Sequence, residues 1–175
     1  QELEIQSGSR SREALTLLNI VALSREYGEL KEASNRMERA LAIGHELGSA
    51  LIIGKAFLLK AMHSMDIGDM ESSDSYLQEA LQRAREIELT TMITNVLGII
   101  GTFTKNRGEL ERSIQAHEEG IRYCRAIGSR RDECLLLGNL ALVVQLQGDL
   151  ERAQQLYEQT SALSEEVEFG LVATM

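Results

Sequence analysis

The sequence predicts an all-α fold, a right-handed α-solenoid of antiparallel helix pairs. Three observations predict it. Glycine stands at 28, 68, 108 and 148, and each is followed by an acid and a large apolar residue: Gly28-Glu29-Leu30, Gly68-Asp69-Met70, Gly108-Glu109-Leu110 and Gly148-Asp149-Leu150. That constant step of 40 residues marks stacked copies of one supersecondary unit. The 175-residue chain contains no proline, the residue that breaks helix interiors. Its apolar residues are mainly Leu, Ile, Ala, Val and Met, and aromatics make up only 4 %. In such an array each unit packs on its neighbours, and stability grows unit by unit.

Gap-free alignment divides the chain into one continuous array of units 8–47, 48–87, 88–127 and 128–167. The first half of each unit has apolar residues at helical spacing, as in Leu137, Leu140, Ala141 and Val144, or Leu97, Ile100 and Gly101 followed by Thr104. This is helix A. The period glycine closes it, because glycine enters the left-handed conformation readily. The acid that follows suits the free amides and dipole at the start of the next helix.

Helix B carries an inner stripe: Leu30, Ala33, Met37, Ala40 and Leu41 in the first unit, and Met70, Ser73, Leu77, Ala80 and Leu81 in the second. The third gives Leu110, Ser113, His117, Gly120 and Ile121, and the fourth Leu150, Ala153, Tyr157, Thr160 and Ser161. Small residues recur at Ala33/Ser73/Ser113/Ala153 and at Ala40/Ala80/Gly120, where crossing helices need room. Gly48-Ser49 and Gly128-Ser129 mark the return to the next helix A, and Glu88-Leu89 stands there in the third unit.

Gly8-Ser9 falls one period before Gly48-Ser49, so residues 1–7 are expected to be the tail of a preceding helix B. Residues 168–175 are expected to start a fifth helix A, with Phe169, Leu171, Val172 and Met175 apolar. Ends without polar caps are expected to self-associate, and the chain to be a segment of a longer array.

The alignment resembles the tetratricopeptide repeat (TPR) over essentially the whole chain. The fourth helix-A position is large (Leu17, Phe57, Leu97, Leu137), and the eighth is small in most units (Val21, Ala61, Gly101, Ala141). The family's usual repeat is shorter and ends in proline. Here helix B is expected to run about two turns longer, because one turn takes 3.6 residues. Such long repeats look like those of maltose-regulator-type sensor arms of bacterial transcription activators and of Pins-type scaffolds.

Composition argues against other classes. The net charge is −9, with no Lys/Arg cluster of the kind that replaces phosphate counterions, so direct nucleic-acid binding is not expected. No apolar run reaches the length of a membrane span. Two cysteines, Cys124 and Cys134, do not make a secreted disulfide framework, and a cytoplasmic protein is expected. His45, His63 and His117 have no second ligand at metal spacing, and His117 reads as a packing residue. Gly98-Ile99-Ile100-Gly101 lacks the lysine and strand of a phosphate loop, and its glycines read as sites of close helix approach. No enzyme activity, cofactor or metal is expected.

The resemblance implies a partner groove lined by A helices. Its positions fall on Leu15, Leu18, Ala22, Arg25 and Glu26, and then on Lys55, Leu58, Met62, Met65 and Asp66. In the last two units they fall on Asn95, Gly98, Thr102, Lys105 and Asn106, and on Leu135, Gly138, Leu142, Gln145 and Leu146. The candidate partner-binding residues are Lys55, Leu58, Met62, Met65, Asn95, Thr102, Lys105, Asn106, Leu142 and Gln145. Methionine makes such a floor adaptable, and the expected partner is a protein or peptide, docked as an extended segment or an amphipathic helix. Asn19 and Asn139 sit where some relatives of the repeat hold a peptide carboxylate, but the partner lysine and arginine are absent. Two functions follow as expectations. One is a protein-interaction scaffold. The other is a ligand- or partner-sensing arm of a multidomain bacterial transcription regulator.

Overall fold

The computed structural model describes residues 2–26 and 32–173, with side chains for 6–25 and 32–167. Among these residues it is helical between short turns: α1 (Glu2–Glu26), α2 (Ala33–Glu46), α3 (Ala50–Asp66), α4 (Met70–Glu86), α5 (Thr90–Asn106), α6 (Leu110–Ile127), α7 (Arg130–Gln147) and α8 (Leu150–Ala173). No described residue is in a strand. No described helix is long and apolar enough to cross a membrane. The fold is that of TPR-like helical repeats.

One turn, repeated every 20 residues, makes this chain fold back on itself. Residues 48, 68, 88, 108, 128 and 148 all have positive φ, between 50° and 97°. At each, the next amide donates to the carbonyl five residues back: Ser49 to Gly44, Asp69 to Ser64, Leu89 to Ala84, Glu109 to Thr104, Ser129 to Cys124 and Asp149 to Val144, at 2.8–3.2 Å. The residue itself donates to the carbonyl three back. This is the Schellman motif, which satisfies the last carbonyls of a helix. Five of the six positions are glycine; the sixth is Glu88, at φ 50°. The expected turn at Gly28 lies outside the described residues.

The acids behind the glycines divide by length. Asp69 Oδ1 accepts from Ser72 N at 3.1 Å and Asp149 Oδ1 from Arg152 N at 3.0 Å, so both cap the helix that follows. The hydroxyl of Ser72, and then its amide, hold the Asp69 carboxyl below its usual range. Glu109, one methylene longer, makes no cap bond and pairs instead with Arg107 and Arg112. Ser49 caps α3 through Ile52 N, whereas the Ser129 hydroxyl turns to Asp132.

Two expectations at the ends are corrected. α1 runs straight through Gly8-Ser9, with no positive φ at Gly8. Glycine costs a helix interior only about 1 kcal/mol, and Gly-Ser alone does not dictate a turn. α8 continues past 168 to Ala173 with no turn into a fifth helix A. The helices group into two compact units, residues 1–89 and 90–175.

In the first unit α1 packs on α2, α2 on α3, α3 on α4, and α1 on α3; the second repeats the scheme with α5 to α8. Both cores are built on the small positions of the B helices. Ala33, Ala40, Ser73, Ala80, Ser113 and Ala153 are buried, as is Gly120. Ser73 Oγ donates to Ala61 O at 3.2 Å, and 40 residues on, Ser113 Oγ donates to Gly101 O at 2.6 Å. The repeat is therefore preserved down to a single inter-helix hydrogen bond.

Candidate binding surface

The second unit presents the clearest open surface. Leu135, Leu142 and Leu146 are spaced i, i+7 and i+11 along α7, which places them within about 20° of one line on the helix. They are 65 %, 37 % and 57 % exposed. Leu136, Leu137, Leu140, Val143 and Val144 fill the opposite side and are buried. Within the same unit, α5 offers Asn95, Thr102 and Asn106 at positions one period earlier, all exposed. The unit thus carries a leucine line on α7 and a polar line on α5. Thr102 Oγ1 donates to Gly98 O at 3.1 Å, which holds that hydroxyl against its own helix.

The packing between these helices is set by glycine. Leu136 enters a recess formed by Gly98 on α5 and Gly120 on α6. A methyl group on either glycine would lie 3.1 Å from Leu136 Cδ2 or 2.7 Å from Leu136 Cδ1. Gly101, deeper on α5, lies beneath His117 of α6, and a Cβ there would stand 2.4 Å from the ring. The expectation that Gly98 and Gly101 admit a close neighbour is met by a side chain in each case.

His117 is fully buried and neither ring nitrogen has a hydrogen-bond partner among the described groups. Burial, reinforced by the Lys105 ammonium, pushes its pKa down to about 4. The ring is a neutral packing group, as expected. Cys124 and Cys134 are both free thiols, and burial, with Asp132 and Glu133 nearby, pushes Cys124 up to about 11. No group of His, Cys, Asp or Glu among the described residues could hold a metal.

The other candidates distribute as follows. Lys105 is half-buried, and Gln145 is exposed and accepts a hydrogen bond from the Tyr157 hydroxyl at 3.0 Å. In the first unit Lys55 is exposed, Met62 and Met65 are half-buried, and Leu58 is buried. Leu58 is therefore packing, not open surface. Arg25 and Asp66, both at groove positions, pair with each other through Nε–Oδ2 at 2.7 Å. Leu135 and Leu146, the most exposed members of the α7 line, stand among the groove positions but not among the leading candidates. Periodicity finds the position, but only the packed structure shows which face is left uncovered.

Comparison with known proteins gives the same picture of the fold. Residues 135–168 match the model of the tetratricopeptide repeat family. No curated protein matches the sequence. Among solved structures, BtubC (BKLC) from P. vanneervenii superposes with a TM-score of 0.80 at 17 % identity, over 89 % of this chain and 64 % of that one. A STAND (signal transduction ATPase with numerous domains) protein with a tetratricopeptide repeat sensor, from Pyrococcus horikoshii, gives 0.81 at 15 % identity, over 94 % of this chain and 26 % of that one. A kinesin light chain protein from Podosopora anserina with nearly identical TPR-like repeats gives 0.70 at 13 %, over 88 % and 76 %. The chain spans less than two thirds of the first two.

Proposed function

We propose that this chain is a protein-interaction module that holds a peptide or helix against the A helices of its second unit, and that it performs no catalysis and carries no cofactor. The observation that carries the reading is the leucine line Leu135, Leu142 and Leu146 on α7. It is not a spare repeat-packing face. The equivalent residues on α5, Asn95, Thr102 and Asn106, stay exposed with α7 packed beside them. A further repeat would leave the leucines equally uncovered. Three large apolar side chains in one row are what a binding surface needs and what a solenoid rim does not. The Asn and Thr groups on α5 supply hydrogen bonds to a partner backbone. Lys105 favours an acidic residue at that end.

The likeness in fold to a STAND protein with a TPR sensor supports a second reading, that of a sensing arm within a larger regulator. Domains for nucleotide or DNA binding elsewhere in the full-length gene would favour it. A cytoplasmic location belongs with either reading.

The test is selection of peptide ligands from a displayed library, followed by titration of the selected peptide into Leu142→Asp and Leu146→Asp. A loss of about tenfold or more in affinity, with unchanged helicity, supports the surface. Equal binding to both variants rejects it.

A further inference from the structure

We infer, taking the second unit as the partner surface proposed above, that the segment it holds carries an aspartate or glutamate whose carboxylate seats between Lys105 of α5 and Leu146 of α7. The first unit shows the same place filled from within the chain. There Arg25 of α1 donates to Asp66 of α3 through Nε–Oδ2 at 2.7 Å and Nη2–Oδ1 at 3.1 Å. Its Nη2 also reaches the Met62 carbonyl at 3.5 Å. The two side chains are only 17 % and 34 % exposed. A cation on one A helix is thus closed by an acid on the next.

Two periods on, the cation is kept and the acid is lost. Arg25 becomes Lys105, Asp66 becomes Leu146 and Met62 becomes Leu142. α5 packs on α7 as α1 packs on α3, so the two cations hold like positions. Lys105 is half-buried and makes no ion pair among the described residues. The acids nearest to it along the chain and to Leu146 are engaged elsewhere. Glu109 pairs with Arg107 and Arg112, and Asp149 accepts from the Arg152 amide at 3.0 Å. The acids of α7 itself, Asp132 and Glu133, stand about 20 Å back along the helix from Leu146.

The occupant follows from what is missing. Lys105 lacks a carboxylate, and Leu142 and Leu146, 37 % and 57 % exposed, offer apolar contact beside it. An acid next to a large apolar side chain meets both at once. Leucines that exclude water around the ammonium make such a charge pair stronger than one on open surface. The single cation also sets which way round the segment lies, and it rejects a lysine or arginine at that place. The first unit, whose Asp66 already holds Arg25, has no such place to offer.

Two experiments test this. The first needs no ligand. Leu146→Asp rebuilds the pair of the first unit inside the second, and by NMR the carboxyl at 146 should titrate below the ordinary aspartate value of about 3.9. Adding Lys105→Met should return it to that value. An unshifted carboxyl overturns the inference, because Lys105 then does not reach the place. The second experiment uses peptides selected on the whole chain from a displayed library, titrated by fluorescence anisotropy. They should share an acid beside a large apolar residue. Alanine in place of that acid, or Lys105→Glu in the protein, should each weaken binding several-fold. A peptide with lysine in place of the acid should bind Lys105→Glu better than the original peptide does. Circular dichroism checks that the variants keep their helices. Selected peptides that need Leu142 yet ignore Lys105→Glu overturn the inference and leave the surface standing. Peptides indifferent to Leu142→Asp, or a library that yields none, remove the surface and the inference with it.

Discussion

The imidazole of His117 rests on Gly101 so closely that a single methyl group at Gly101 would stand 2.4 Å from Cε1 and Nε2 of the ring. The pair spans α5 and α6, and the Ser113 hydroxyl bonds the Gly101 carbonyl at 2.6 Å from the same helix. Gly101→Ala should therefore destabilise the second unit by about 1–3 kcal/mol, although alanine is the better helix former by about 1 kcal/mol. Urea unfolding measures it. The double variant with His117→Ala should recover much of the Gly101→Ala loss, and a coupling near zero would separate the two residues.

Acid should act through the same ring. In the fold His117 titrates at about 4, against the ordinary value of 6.5. Above the ordinary value it is neutral folded or unfolded and contributes no pH dependence. As pH falls through 6.5 towards 4, the unfolded chain takes up a proton that the fold refuses. Stability should fall across this window by up to about 3 kcal/mol, because each tenfold difference in proton affinity between the two states is worth about 1.4 kcal/mol. Thermal unfolding of the wild type and His117→Leu between pH 7 and pH 4 reports it. The wild type should lose stability relative to His117→Leu as the pH drops, and parallel curves would remove His117 as the cause.

Glu88 takes the left-handed conformation that glycine takes at the five matching turns. A side chain there costs about 1–2 kcal/mol, and glycine returns part of that as extra freedom of the unfolded chain. Glu88→Gly should stabilise the protein by about 0.5–1 kcal/mol, the difference between those two effects, seen as a higher urea midpoint. Gly128→Glu, the converse change at the equivalent turn, should destabilise it. If both changes lower stability, the strain argument is wrong.

Lys55 and Lys105 are the cations among the leading groove positions; Lys55 is exposed and Lys105 half-buried. If the bound segment is acidic near α5, Lys105→Glu should weaken it several-fold and Lys55→Glu, in the other unit, should weaken it less. Titration of one acidic ligand against both variants decides the order; a larger loss from Lys55→Glu would move the site to the first unit.

Much of the fold could be read from the sequence because the repeat is carried by residues whose backbone roles are narrow. Gly68, Gly108 and Gly148 close helices with φ values only glycine takes easily, and Ser73 and Ser113 recur where crossing helices leave little room. Glu88 was illegible for the same reason: its turn is imposed by its neighbours against its own preference. Gly8-Ser9 misled in the opposite direction, since the dipeptide is compatible with a helix when nothing else requires a turn. For the surface, spacing located Leu135, Leu142 and Leu146 on one line, but leucine at helical spacing looks the same whether covered or bare. Only packing distinguishes Leu136, lodged at Gly98 and Gly120, from Leu135 beside it, which faces outward.

The most direct test of the account is a methyl NMR map of leucine-labelled protein titrated with a selected peptide ligand. Binding along the α7 line should shift Leu135, Leu142 and Leu146, with Leu136, Leu137 and Leu140 little changed. Shifts confined to the first unit, or absent from the three exposed leucines while the peptide is bound, would contradict it.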